Sequence, residues 1–215
     1  MSAKTPTIRP FRSIEEIHDA HPDFPIIAWG DESVRVKADP PMYLLGATVF
    51  LDDPFYLLEM LDRIKPKGAK KLHWRDLGVE LQKESLEIIA RIAHTTTIVI
   101  ASPLISNKQE RARRKCLQEM LIRLDQAHVD CLFLESRSDN QDRKDKDFLF
   151  YLQRSKTVTH IDISHIDGKT EIRTCIPDQI LGAYVDAHLN NAAMTKWQQS
   201  WERIRDSVTV YSVKP

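Results

Sequence analysis

Three carboxylates stand where an acid does chemistry more readily than it decorates a surface. Asp31 closes the apolar run Pro25-Ile26-Ile27-Ala28-Trp29-Gly30, and strand alternation puts it on one face with Ile27 and Trp29. Glu135 closes Cys131-Leu132-Phe133-Leu134 in the same way. Asp178 falls in the first turn of the helical stretch opened by Ile176-Pro177, in line with Leu181, Gly182 and Val185. Two strand ends and one helix start can meet at a point if the strands are neighbours. Carboxylates gathered there repel one another and are costly to desolvate unless a cation neutralises them. Hard oxygen ligands of this kind suit Mg²⁺ or Mn²⁺, which keep several waters and are completed by substrate phosphates. Singly, each acid has an ordinary explanation, since a helix dipole favours an Asp in the first turn and strand ends often meet solvent. Their joint placement points to a site.

Other side chains are weighed around these three. Glu32 follows Asp31 and would point to the opposite side of a regular strand; it is a metal ligand only if the strand is ending there. His73 and Arg75 flank Trp74 and are expected to contact substrate phosphate, as is Arg137, two residues past Glu135. His160, Asp162, His165 and Asp167 lack the tight ligand quartet of a zinc site and read as an ordinary strand surface. Arg111, Arg113, Arg114 and Lys115, with Lys65, Lys67, Lys70 and Lys71, could line a nucleic-acid path, although charge runs are more often a solvated helix face. Trp197 and Trp201, four apart, read as a packing pair.

The elements that must position these residues follow from periodicity. Strands are expected at 25–31, 42–50, 71–74, 95–101, 129–135, 158–163 and 208–213, with Gly30-Asp31-Glu32-Ser33 as a turn after the first. The unbroken apolar run Met42–Phe50 argues for burial on both faces, as in a sheet covered by helices. Helices are expected from Asp52-Asp53-Pro54 to Ile64, over 80–93, 106–127, 140–152, 176–190 and 197–205, and a short one near 13–19. The pattern implies an α/β domain, a mixed sheet with helices on its faces. Residues 1–24 read as an N-terminal extension and 25–215 as one domain with a C-terminal helix and tail.

Composition sets the outer bounds. The chain has 215 residues, 42% hydrophobic and 29% charged, which is ordinary for a globular protein. Lys plus Arg and Asp plus Glu balance at 31 each, so no global positive charge advertises nucleic acid and any basic face must be local. Three scattered cysteines suit free thiols in a reducing compartment. A polar N-terminus and the absence of any apolar run near ~20 residues point to a cytoplasmic protein with no membrane contact. Nothing in the sequence bears on oligomeric state.

Three segments carry a resemblance. Gly30-Asp31-Glu32-Ser33 after an apolar strand, with Tyr43-Leu44-Leu45-Gly46-Ala47 beyond it, resembles the opening of the domain-of-unknown-function family 3800. Lys71-Leu72-His73-Trp74-Arg75-Asp76-Leu77 is similar to that family's His-Trp-Arg-Glu-Leu-like segment. Ile176-Pro177-Asp178-Gln179-Ile180-Leu181-Gly182-Ala183 is similar to its closing helix. Together they span residues 25 to about 190. Val34 replaces a usual Gly, Cys175 and Pro177 stand where Gln and Ala are common, and Glu135 stands for an Asp. The family is regarded as ribonuclease H-like, which implies a mixed sheet with helices on both faces and acids on the first strand, the fourth strand and the closing helix. Asp31, Glu135 and Asp178 map onto those places. The resemblance thus implies a metal-dependent nuclease that cleaves phosphodiesters at a two-metal carboxylate site, with RNA or DNA as partner. The alternative is an inactive ribonuclease H-like binding or regulatory module.

Overall fold

The computed structural model describes residues 11–105, 108–188 and 194–215. Its centre is a meander of β1 (Ile27–Arg35), β2 (Met42–Phe50) and β3 (His94–Ala101), each antiparallel to the next. On the β1 side, β4 (Cys131–Glu135) runs parallel to β1 and β5 (Asp162–Ile166) parallel to β4. On the other edge, β6 (Val208–Val213) lies parallel to β3. The strand order is β5-β4-β1-β2-β3-β6, a mixed six-stranded sheet. Among the described residues there are seven α-helices: α1 (Ile14–Ala20), α2 (Phe55–Arg63), α3 (Val79–Ile89), α4 (Gln109–Gln126), α5 (Asp139–Arg154), α6 (Cys175–His188) and α7 (Met194–Ile204).

Helices cover both faces, and each strand's alternation sorts its side chains between two cores. Tyr43, Leu45, Ala47 and Val49 of β2 join Ala28, Leu132 and Leu134 beneath α4 and α5, where Leu117, Met120, Leu121 and Leu149 are buried. Leu44 and Ile98 point the other way, into a core with Leu61, Leu86, Ile180, Leu181 and Trp197 from α2, α3, α6 and α7. Each fully buried Leu or Ile contributes about 1.5–3 kcal/mol, so the two-sided burial of β2 makes it the anchor of the sheet. Ser13 and Ser138 cap α1 and α5, their hydroxyls accepting the N–H of Glu16 and Gln141. Phe11 N–H bonds to the Leu51 carbonyl and Ile14 is buried, which ties this segment to the sheet. No helix among the described residues is long and apolar enough to cross a membrane.

The elements depart from expectation in three places. Residues 30–33 are not a turn, because β1 continues in register with β2 to Arg35 opposite Met42; the chain reverses over 36–41 instead. The strand expected at 71–74 is a loop entering a 3-10 turn at Trp74–Asp76, since the Trp74 N–H is bonded by a side chain of α6 and not by a neighbouring strand. The strand expected at 158–163 begins only at Asp162. Asp125 accepts the N–H groups of Thr159, His160 and Ile161 and so holds that segment outside the ladder. Ser106 and Asn190, expected helix ends, lie outside the described residues.

Candidate functional site

Asp31 lies where β1 parts from β4. The parallel ladder ends at Gly30 opposite Leu134, while the pairing with β2 runs on. Trp29 and Asp31 share a face, and Trp29 stacks on Phe133 of β4 with ring centroids 4.9 Å apart, so Glu135 follows Phe133 onto the same side. Lys71, from the loop before Trp74, reaches between the two acids. Its Nζ donates to Glu135 Oε2 at 2.5 Å and to Asp31 Oδ2 at 3.5 Å, and only 5% of its side chain is exposed.

Asp178 completes the group from the first turn of α6. Its Oδ2 accepts the Trp74 backbone N–H at 2.7 Å and Gln179 Nε2 at 3.0 Å, and its Oδ1 lies 3.7 Å from His73 Nδ1. Gln179 is itself buried and accepts from Ser85 Oγ at 3.0 Å. The loop carrying Lys71 and His73 is bolted to α6 through Trp74, whose Nε1 donates to Asp186 Oδ2 at 2.8 Å. A Cβ on Gly182 would stand 2.1 Å from Trp74 Cγ, so the indole needs a glycine there to approach the helix. Gly168 plays the same part beside Glu135, where a Cβ would stand 2.5 Å from the carboxyl carbon.

Crowding shows in the proton affinities. Burial first, and then the neighbouring Asp178 charge, push the Asp31 carboxyl up to about 7, against the opposing pull of Lys71 and the Glu32 N–H. Burial works to lower Lys71, but Asp31, Glu135 and Asp178 outweigh it and hold the ammonium above the ordinary lysine value. His73 is raised, chiefly by its hydrogen bond to Asp178. One ammonium among three carboxylates is under-compensated, and Asp31 keeps its proton to near neutrality.

The structure therefore brings Asp31, Glu135 and Asp178 together, with His73 at their edge. It leaves Glu32 and Arg137 across the sheet. Glu32 points to the α4 side, where Arg113 Nε donates to it at 2.8 Å and the same guanidinium clasps Asp145 at 2.5 and 2.8 Å. Arg137 belongs to that second cluster, with Asp145 and Glu110 as partners. Because β1 stays extended through residue 32, alternation holds and Glu32 cannot turn back to Asp31. Arg75 is 77% exposed and lies 3.8 Å from Asp76, and among the described residues it forms no ion pair with Asp31, Glu135 or Asp178. His160 and His165 pair separately with Asp125 and Asp145, as ordinary structural histidines do. Trp197 packs edge-on against Trp74 at 5.3 Å.

Sequence reasoning missed Lys71, Gln179 and Gly168. Lys71 and Gln179 both stand inside quoted motifs, but Lys71 reads only as part of a possible basic path, and a glycine in a polar loop looks like surface. The donor set of three carboxylates is right in kind for a hard divalent ion. As the side chains stand, Lys71 bridges two of the acids. Among the described residues no group of three or more His, Cys, Asp or Glu side chains is arranged to hold a metal ion. Compared with protein families, curated proteins and solved structures, the chain matches none.

Proposed function

We propose that the chain is a ribonuclease H-like domain that hydrolyses phosphodiester bonds in nucleic acid with Mg²⁺ or Mn²⁺. The observation that carries this reading is the convergence of Asp31 from β1, Glu135 from β4 and Asp178 from the start of α6 on one side of the sheet. First strand, fourth strand and closing helix are the positions at which the resemblance to family 3800 places its acids. Asp31, Glu135 and Asp178 would hold the ion once Lys71 gives way, and the bound ion would supply a water of lowered pKa and neutralise charge on the ester. The rest is the work of this chain's own groups. Trp74 N–H and Gln179 fix the Asp178 carboxylate in one orientation. Gly168 leaves Glu135 room to turn toward Asp31. His73, 33% exposed beside Asp178, is placed to donate to a phosphate oxygen, and Lys65, Lys70 and Lys169 wall a small cleft next to the acids.

The test is cleavage of RNA, DNA and hybrid substrates with Mg²⁺ or Mn²⁺. Asp31→Asn should abolish it while the far-ultraviolet dichroism and unfolding transition remain those of a folded chain; undiminished cleavage by that variant rules the assignment out.

Lys71 favours a second reading, an inactive ribonuclease H-like module that binds nucleic acid or a protein partner. An ammonium that already bridges Asp31 and Glu135, with a proton kept on Asp31 to near neutrality, lets the acids sit together without a metal. Calorimetric titration separates the two. If no divalent ion binds with the acids intact, the enzyme reading falls.

A further inference from the structure

Two loops bring lysines together outside the carboxylate group. The turn at 66–69 is closed by the Ala69 N–H on the Pro66 carbonyl at 2.9 Å, with Gly68 at φ 85°, and it sets Lys65 and Lys70 on one cleft. Asp167 organises the second loop. Its side chain accepts the Lys169 N–H at 2.9 Å and its carbonyl accepts the Thr170 N–H at 3.0 Å, and Lys169 joins the cleft wall from there. Lys71 and Cys175, both buried, complete the wall.

The charges on that wall do not balance. Lys65 pairs with Asp62 at 2.5 Å, and the Lys71 ammonium is committed to Glu135 and Asp31. Lys70 and Lys169 form no ion pair among the described residues, and Asp62 is the one carboxylate among the residues that line the cleft. Cys175 opens the 14-residue α6, so the positive end of a helix dipole lies at the same place. Ammonium groups gathered without counter-ions repel one another, and an oxyanion seated between them relieves that repulsion. The cleft, of about 60 Å³, admits a phosphoryl group but not a base or a sugar. At neutral pH a phosphate monoester carries about −1.5 to −2 charges and three strong acceptor oxygens, enough to engage both free lysines, whereas an internal diester carries a single charge.

We propose that this cleft binds a phosphate dianion, free or as a monoester, with the Lys70 and Lys169 ammonium groups donating to its oxygens. The site needs no metal on the carboxylates and stands whether or not the chain cleaves nucleic acid. Inorganic phosphate and the 5′-phosphate of an oligonucleotide present the same chemistry, and the test separates them.

The whole chain is titrated calorimetrically at low ionic strength with EDTA present. The probes are inorganic phosphate, a short 5′-phosphorylated oligonucleotide and the same oligonucleotide without its terminal phosphate. Inorganic phosphate should bind once per chain, and Lys70→Gln/Lys169→Gln should weaken it about tenfold. Lys37→Gln/Lys144→Gln, with the same loss of net charge on exposed residues, should match the natural chain. In the natural chain, phosphate should also slow acetylation of Lys70 and Lys169 several-fold relative to Lys37 and Lys144, as read by mass spectrometry. Tighter binding of the phosphorylated oligonucleotide than of its unphosphorylated twin makes a strand end the source. Equal binding of the two, with inorganic phosphate still bound, makes free phosphate the ligand. Absence of phosphate binding, a weakening that the control pair shares, or lysines left unprotected overturns the proposal. No readout involves cleavage or a metal, so its failure is distinct from failure of the nuclease reading.

Discussion

At the start of β3, His94 is 7% exposed, with Nδ1 2.8 Å from the Ile92 carbonyl and Nε2 2.9 Å from Ser207 Oγ. Burial lowers its pKa below the ordinary 6.5, more than the bond to Ile92 raises it. The folded chain thus keeps this ring neutral where the unfolded chain takes up a proton. The stability it confers is complete above pH 6.5 and is lost as pH falls toward the depressed folded value, at about 1.4 kcal/mol for each unit of depression. His94→Gln should therefore be less stable than the natural chain near neutrality, and the gap in urea midpoint should shrink by about pH 5; a gap that stays constant would show that the ring does not remain neutral. The acids of the site could be read from the sequence because each follows an apolar run or opens a helix, where alternation and helical spacing fix the side-chain direction. Lys71 could not, because nothing local marks one lysine beside Lys70 as the buried one. Its place is decided by carboxylates 40 and 64 residues away.

Among elements, the contact between the Trp74 loop and α6 organises the site. The helix supplies three things to one tryptophan: Asp178 for its backbone N–H, Asp186 for its indole N–H, and Gly182 as the floor on which the ring lies. Gly182→Ala should cost about 1–3 kcal/mol by overpacking and should displace the indole. Urea denaturation would give the cost, and the Trp74 indole N–H resonance should shift as its bond to Asp186 is strained. An unshifted resonance with unchanged stability would mean that the helix simply moves aside. This contact explains why residues 71–74 read as a strand. Buried Leu72 and Trp74, two apart, imitate strand alternation, but the hydrogen bonds that define a strand go instead to a helix more than a hundred residues later. The strands β2, β3 and β4 were legible as apolar or β-branched runs, and β1 only as far as Asp31. Strand β5 was misplaced by several residues because Asp125, on another element, captures the N–H groups just before it.

For the molecule as a whole, the sheet has one edge that depends on a short segment. β6 covers the outer edge of β3 from Thr96 to Ala101 with a parallel ladder, and Tyr211 lies under Arg123 of α4 at 4.1 Å. Removing residues 208–215 would bare a β-branched edge of Thr, Ile and Val, which is a template for pairing with another copy. The shortened chain is expected to elute as concentration-dependent oligomers in size-exclusion chromatography, with a several-fold loss of soluble monomer; a clean monomer would show that the edge is protected by other means. The balance of 31 basic and 31 acidic residues also means that a polyanion feels little attraction at long range, so recognition would depend on lysines clustered near the carboxylates.

One consequence concerns what the gene can tolerate. Asp31 and Glu32 are successive residues that face opposite sides of the sheet, the first toward Lys71 and the second toward the guanidinium of Arg113, which is 3% exposed. Gain or loss of a single codon between Ile27 and Asp31 would exchange the two faces, setting each carboxylate among the other's partners and driving Trp29 into the α4 core. Point substitutions in β1 can be absorbed one face at a time, whereas a change of length by one residue fails on both faces together. In a library of insertions and deletions across the chain, this stretch of β1 should stand out as the place where none survive, while the polar loop at 36–41 accepts them.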